Sequence, residues 1–325
     1  MGQFGIGQSV TRIEDLRLLT GSGTYTDDVQ LENESAAFVL RSPHAHAKIG
    51  SIDATAARAA PGVLLILTGD DVAAEDIGAM PCMFPVTNLD GSARGETYRP
   101  LLAQGKVRHV GEPVAFIVAE TLAQARDAAE LIKVDYTILP STTDTYRSAL
   151  DGADRLYDDI DNNVCFDWGK GQQEETEAAF AKGSHITSLE LINNRIVVNP
   201  MEPRAAIADY DEASDKSTLY TSSQGTHGIR NTIADNILKM DKEKLRVVTG
   251  DVGGGFGMKI FTHPEQPLAV WAAKKVKRPV RWTSDRSEGF MSDIQGRDHV
   301  TKAEVAVDGD GKFLALRVTT YANLG

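Results

Sequence analysis

The segment Gly253-Gly254-Gly255-Phe256-Gly257 follows the apolar run Leu245-Arg246-Val247-Val248, and it constrains this chain more than any other stretch. Three successive glycines allow positive φ and let backbone N–H groups approach an anion or oxo group with no Cβ in the way. Two phosphate motifs fail here. A P-loop needs Gly-Lys-Ser/Thr after four spacers, and Met258-Lys259-Ile260 supplies neither the glycine nor the hydroxyl. A dinucleotide fingerprint spaces its glycines G-x-G-x-x-G in the first β-α turn, whereas here the third glycine comes one residue early and the loop lies deep in the chain. Taken alone, the turn would serve a ligand-free bend as well as an anion site.

Hydrophobic periodicity gives an α/β (α+β) class. Ala36-Ala37-Phe38-Val39-Leu40 reads as a strand, 54–60 as a short helix stopped by Pro61-Gly62, and Val63-Leu64-Leu65-Ile66-Leu67 as a buried strand. Val114-Ala115-Phe116-Ile117-Val118 suits a strand covered on both faces. Thr121 with Gln124 predicts a capping box opening a helix over 122–131, and Lys133-Val134-Asp135-Tyr136-Thr137 alternates as a strand that stops near Pro140. Residues 141–163 lack an apolar period and collect Asp151, Asp154, Asp158, Asp159 and Asp161, the composition of a linker. This predicts a unit at 1–140, a linker at 141–163 and a second unit at 164–325, with separate cores.

In the second unit we expect a helix over 174–181, a strand over 185–191 and another beginning at Ile196-Val197-Val198. Ser217-Thr218-Leu219-Tyr220-Thr221 reads as a strand running into Ser223-Gln224-Gly225. A helix over 226–240 follows, with Ile229, Ile233, Ile237 and Leu238 on one face. Residues 265–276 read as an amphipathic helix closed by lysines and Pro279. Strands over 300–307 and 313–321 flank the hairpin signal Asp308-Gly309-Asp310-Gly311. The second of these strands runs almost to Gly325, which suggests an incomplete domain.

A hydrophobic share of 42% with 25% charged residues is ordinary for a globular protein, and a net charge of −12 disfavours nucleic-acid binding. The opening MGQFGIGQSVTRIED lacks a secretory pattern, and no run of about 18 apolar residues occurs, so a cytoplasmic location without a transmembrane segment is expected. Cys82 and Cys165 form no C-x-x-C pair, so this chain alone builds no disulfide framework or iron-sulfur site, and both read as buried thiols.

Gly253 to Lys259 resembles the G-G-G-F-G-x-K pterin-site motif of the molybdopterin-binding large subunit of the xanthine dehydrogenase, aldehyde oxidase and aerobic carbon monoxide dehydrogenase family. Other segments match in family order. Gly7-Gln8-Ser9-Val10-Thr11-Arg12-Ile13-Glu14-Asp15 with Leu19-Thr20-Gly21 resembles the N-terminal signature. Arg41-Ser42-Pro43-His44-Ala45-His46-Ala47 and Val110-Gly111-Glu112-Pro113-Val114-Ala115 resemble its α/β hammerhead domain. Met201-Glu202-Pro203-Arg204-Ala205, Ser223-Gln224-Gly225-Thr226-His227 and Asp285-Arg286-Ser287-Glu288 continue the series. The resemblance spans the whole chain but only the first part of a usual large subunit. It implies a hammerhead domain followed by the incomplete first part of a molybdopterin-binding domain.

The same resemblance implies the site. Gln224 corresponds to the glutamine whose amide hydrogen-bonds an oxo ligand of molybdenum, without being a metal ligand itself. Gly254, Gly255, Phe256 and Gly257 correspond to the cofactor-binding turn, with Phe256 and Gly257 as the backbone pair beside the metal. The general-base glutamate is expected beyond residue 325, so no catalytic residue is named here. The implied cofactor is molybdenum-molybdopterin in its cytosine dinucleotide form. The implied partners are an iron-sulfur small subunit, a FAD-bearing medium subunit and a companion chain carrying the rest of the large subunit. Purine-oxidising members carry an acidic residue after the motif's lysine, where this chain has Ile260, so an aldehyde, carbon monoxide or an N-heterocycle ranks above xanthine as substrate. A catalytically inactive fragment, or an assembly partner of a split subunit, is the rival reading, and a nucleotide-binding dehydrogenase is a weaker third that predicts NAD affinity.

Other groups take structural readings. His44 and His46 could share a strand face and bind zinc, but no third ligand is near and framework is preferred. His227 could line a substrate funnel, with an exposed helix start preferred. Glu202 and Arg204 could pair with each other or line a channel, and a structural role is preferred.

Overall fold

The structure is a computed structural model that describes residue 7, residues 9–82 and residues 85–324. Residues 1–6 of the opening segment, Gln8 of the N-terminal signature, residues 83–84 and Gly325 therefore lie outside the described residues. The first half contains α1 (Asp15–Leu19), β1 (Ser35–Arg41), β2 (Ala47–Asp53), α2 (Thr55–Arg58), β3 (Val63–Thr68) and α3 (Gly69–Ala74). It continues with β4 (Lys106–Val107), β5 (Pro113–Ala119), α4 (Leu122–Glu130) and β6 (Lys133–Ile138). After residue 163 come α5 (Gln173–Lys182), β7 (His185–Asn193), β8 (Ala205–Asp211), β9 (Lys216–Thr221), α6 (Thr226–Asn231) and β10 (Leu245–Val248). The order closes with α7 (Glu265–Val276), β11 (Val280–Thr283), α8 (Arg286–Ser292), β12 (His299–Val307) and β13 (Phe313–Ala322).

Seven strands form the central sheet in the order β10-β9-β8-β11-β1-β5-β3. The expected separate cores are corrected here, because this sheet takes strands from both halves. Its joint is a short parallel pairing in which Ser35 lies opposite Val280 and Ala36 opposite Arg281. One apolar cluster likewise unites Val39, Phe116 and Val118 with Ala206, Leu219, Ile229, Trp271 and Trp282. β5 is buried along all seven residues, as its uninterrupted apolar run predicts. The cap of α4 forms with Gln124 N–H donating to Thr121 Oγ1, while the glutamine side chain meets the threonine hydroxyl rather than its backbone N–H.

Several local expectations are corrected. Residues 196–198 form no strand; Ile196 makes a single bridge to Gly296, and the path then turns at Asn199, whose φ is +50°. α7 is no amphipathic surface helix, since Glu265 through Ala273 are all buried. It packs on β8 and β9 as a core element. The isoleucine face over 226–240 does form, but α6 widens into a π-helical turn over Thr232–Ile237. The expected linker over 141–163 is packed against both halves: Lys106 pairs with Asp158 at 2.9 Å and Arg108 lies 4.5 Å above the Tyr157 ring, while Thr145 Oγ1 donates to Asp298 at 2.7 Å and Tyr146 meets the Tyr321 ring edge-on. β2, α3, β8 and β11 were not evident in the sequence. β8 in particular opens with Ala205-Ala206-Ile207-Ala208, where a single β-branched residue stands among alanines and gives only a weak strand signal.

A second sheet, β4-β2-β6, sits beside α2 and α4, and a third has the order β13-β12-β7. In the third, Leu189 lies opposite Ala303 and Ala303 opposite Val318, so these side chains share one face with Leu191 and Leu316. α5 covers the opposite face, where Arg317 pairs with Glu177 and stacks on Phe180. The leucine-bearing face is exposed to solvent. Among the described residues no helix is long and apolar enough to cross a membrane.

Candidate cofactor site

Strand direction assembles the site. β9 and β10 are parallel neighbours, so their carboxyl ends leave the sheet on the same side and bring residues 222–224 beside the loop over 249–257. β8 runs antiparallel to β9, with Ala206 opposite Thr221, and so delivers residues 200–204 to that same end. Open α/β sheets place ligand sites just beyond strand carboxyl ends, because adjacent loops diverge there and leave a crevice.

Within that end, Gln224 and the glycine turn are fastened to each other. Gln224 N–H donates to Lys259 O at 3.0 Å, and Gln224 Oε1 accepts from Gly257 N–H at 2.9 Å. A Cβ on Gly255 would stand 2.6 Å from Gln224 Cδ, so the absence of a side chain there sets how near the amide lies to the turn. Gly254 faces Pro200 and the Phe256 ring. Phe256 holds a left-handed φ of +50° and is 75% exposed, and Gly257, at φ +88°, has open space on its Cβ side. The five expected cofactor residues therefore lie together, with Gln224 fastened against a half-buried turn from which Phe256 projects.

The direction of the amide matters. Because a backbone N–H occupies Oε1, the oxygen end is assigned by its partner and Nε2 is the outward donor. Among the described residues Nε2 has no protein partner, and Gln224 is exposed. An uncharged donor pair at the rim of a glycine turn fits a group that presents an oxo acceptor, so the residues present suit the cofactor implied by the motif.

Beneath the turn lies a charged layer the sequence did not reveal. Lys259 is 1% exposed and donates at 2.9 Å to Glu202 O, Glu202 Oε2 and Ser222 Oγ. Burial lowers its pKa, with Glu202 opposing that effect. Glu202 Oε2 also accepts from Gly253 N–H at 2.8 Å. The expected Glu202–Arg204 pairing is corrected: Arg204 points the other way, pairing with Glu265 and with Asp293 at 2.6 Å. Arg41 reaches the same carboxylate, with Nη2 2.6 Å from Glu265 Oε1, and also pairs with Glu288. Burial pushes Glu265 upward, but Arg204 and Arg41 outweigh it and hold the carboxyl well below the usual range. Glu288, with burial dominant, is raised. His263 is held neutral, its pKa lowered to about 3 by burial and by Arg204. A glutamate opening an otherwise apolar helix was the available signal for Glu265; Arg41 and Asp293 offered none.

The remaining candidates are placed as follows. His44 meets the Tyr136 ring edge-on at 4.9 Å, and His46 Nδ1 lies 2.7 Å from Pro140 O, which makes both part of the framework. Among the described residues no group of three or more His, Cys, Asp or Glu could hold a metal. His227 and Ile260 are exposed. Cys165 is buried, but Cys82, expected to be buried, is only half-buried. The N-terminal arm reaches the loop's approach, with Thr24 N–H donating to Asp251 at 2.7 Å and Arg17 pairing with the same carboxylate.

Comparison with known proteins agrees with this geometry. A family model for the molybdopterin cofactor-binding domain matches residues 156–325. A second, for the a/b hammerhead domain of aldehyde oxidase and xanthine dehydrogenase, matches residues 20–140. The carbon monoxide dehydrogenase large chain of Afipia carboxidovorans is 34% identical over 99% of this chain and 40% of its own length. The nicotine 6-hydroxylase large subunit of Paenarthrobacter nicotinovorans is 32% identical over 98% of this chain and 38% of its own length. Quinoline 2-oxidoreductase from Pseudomonas putida 86 superposes with a TM-score of 0.87 at 37% identity, over 97% of this chain and 39% of that one. The chain thus spans about two-fifths of these relatives' own length. With its hammerhead strands, its glycine turn and these matches in one fold, the chain belongs to the molybdopterin-binding large subunits of the xanthine dehydrogenase and aldehyde oxidase family, as a partial large subunit.

Proposed function

We propose that this chain forms one wall of a molybdenum hydroxylase active site, with Gln224, Gly254, Gly255, Phe256 and Gly257 holding the metal end of a molybdopterin cofactor in its cytosine dinucleotide form. The observation that carries this reading is the Gln224 amide, fixed at its oxygen by Gly257 N–H and left with an unpartnered, exposed donor. When bound, the cofactor supplies oxygen-atom transfer from water and accepts the substrate's two electrons. The chain's own residues orient it. Gln224 Nε2 would donate to an oxygen of the bound group without adding charge, and the turn over 254–257 would let backbone lie against it where a side chain would intrude. Lys259 and Glu202 compensate each other's charge below the turn.

Ile260, exposed where purine-oxidising relatives carry an acid, favours an aldehyde, carbon monoxide or an N-heterocycle as substrate. The base glutamate and the loop that selects substrate belong to the remaining three-fifths of such a subunit. Electrons leave through an iron-sulfur small subunit and a FAD medium subunit in a cytoplasmic complex. The second reading is an assembly partner of a split large subunit, inactive until a companion chain supplies the rest. Metal analysis of natively purified protein, with co-purifying subunits identified by mass, tests both. Molybdenum and pterin in near-equal amounts support the site; their absence even when the small, medium and companion chains are present overturns it. Molybdenum that appears only with the companion chain selects the second reading.

A further inference from the structure

We infer that the buried Lys259–Glu202 pair is a positioning device that sets the glycine turn and Gln224 at a fixed separation, an inference that takes from the proposed function only what the separation is for. Three chain segments meet at this pair and are otherwise joined by few bonds. Lys259 holds the 222–224 segment twice, through its backbone O to Gln224 N–H at 3.0 Å and through Nζ to Ser222 Oγ at 2.9 Å. The same ammonium holds residue 202 twice, at its backbone O and at Oε2, each at 2.9 Å. Glu202 in turn grips the turn on both sides of Gly253: Oε2 accepts Gly253 N–H at 2.8 Å, and Glu202 N–H donates to Gly253 O at 3.1 Å. Ser222 Oγ also donates to Glu202 Oε2 at 2.6 Å.

All three ammonium hydrogens therefore have acceptors, in a site where Lys259 is 1% exposed. Shape alone does not explain this choice. A methionine would fill the same volume, yet it would leave the Glu202 carboxylate gripping the turn with its cation removed, and a buried unpaired charge draws in water or a proton. Arginine, with five donors in a planar fork, cannot satisfy three convergent acceptors. Since Gly257 N–H fixes the Gln224 amide, any slack in the turn is passed directly to the outward donor Nε2.

The test uses the chain itself, without cofactor, by hydrogen exchange at single-amide resolution. In K259M the Gly253 and Gly257 amides are expected to exchange at least tenfold faster, while the amides of Ala206 and Leu219, in the adjacent strands, change less than twofold. The double variant E202Q/K259M, neutral at both positions, is expected to recover most of the protection at Gly253, because the glutamine oxygen accepts that N–H without a buried charge. Equal acceleration at all four amides would assign the pair to general stability and overturn the inference, as would unchanged exchange at Gly253 and Gly257. If K259M does not fold, K259R, which keeps a cation beside Glu202 but cannot meet the three convergent acceptors, gives the same comparison, with the same two overturning outcomes. Molybdenum content of the chain purified with its partner subunits separates the two levels of reading: absence of molybdenum from the unsubstituted protein refutes the proposed function and leaves the exchange result standing.

Discussion

Replacing Glu265 by glutamine keeps the size of a side chain that is 1% exposed and removes the charge facing two guanidinium groups. Among the described residues the network then holds Arg41 and Arg204 with the carboxylates of Glu288 and Asp293. Glu288 is already pushed toward its neutral form by burial. Breaking a buried ion pair by removing one partner costs about 3–5 kcal/mol. For a chain of this size each kcal/mol shifts the melting midpoint by roughly 1.5–2 °C, so E265Q should melt about 5–10 °C lower at neutral pH. Linkage supplies a second signature. The folded pKa of Glu265 is depressed, so its contribution is complete above the unfolded value of 4.5 and is lost as pH falls below it. Melting followed by circular dichroism from pH 7 to pH 3.5 should therefore show a constant gap between the two proteins above about pH 5, narrowing below it. A gap under about 2 °C at pH 7, or one that does not narrow in acid, would refute the idea that Arg204 and Arg41 outweigh the burial of this carboxylate.

Gln224 is exposed, so Gln224→Ala should leave the melting point within about 2 °C while molybdenum retention in the assembled protein falls, measured by metal analysis. Gly255→Ala places a Cβ 2.6 Å from Gln224 Cδ, the movable end of a side chain. It should therefore cost about 1 kcal/mol or less by urea titration, yet reduce molybdenum retention as Gln224→Ala does. His263, with a folded pKa of about 3, should show no imidazole titration by NMR between pH 8 and pH 4.5. Its depressed pKa means the unfolded chain takes up a proton first, so stability should fall by about 1 kcal/mol between pH 6.5 and pH 5.5. The double variant L189E/L316E, on the open face of the third sheet, should raise the concentration at which the isolated chain aggregates, read by light scattering, with little change in melting point.

Much of this protein could be read from order along the chain. The uninterrupted apolar run of β5, the Thr121 cap, the isoleucine face after Gln224 and the Asp308 hairpin are local signals, and each element formed where its own residues asked for it. The glycine turn was legible for the same reason, since backbone that must approach a partner closely excludes side chains at those positions. The joining of the two halves was not legible: β1 meets β11 across 245 residues through two register pairs, and no periodicity encodes such a partner. Glu202, Arg204 and Glu265 were visible as charged residues, but their pairings were decided by which strand ends the sheet gathers together. Burial then fixed their roles, because a charge withdrawn from water needs a partner in space, and sequence position alone does not name it. The sequence by itself thus determined the elements with strong local signals, the family and the glycine turn proposed to face the cofactor. Tertiary structure alone decided what holds that turn in place, since Lys259 and Glu202 lie 57 residues apart and meet only when β8, β9 and β10 have stacked their ends.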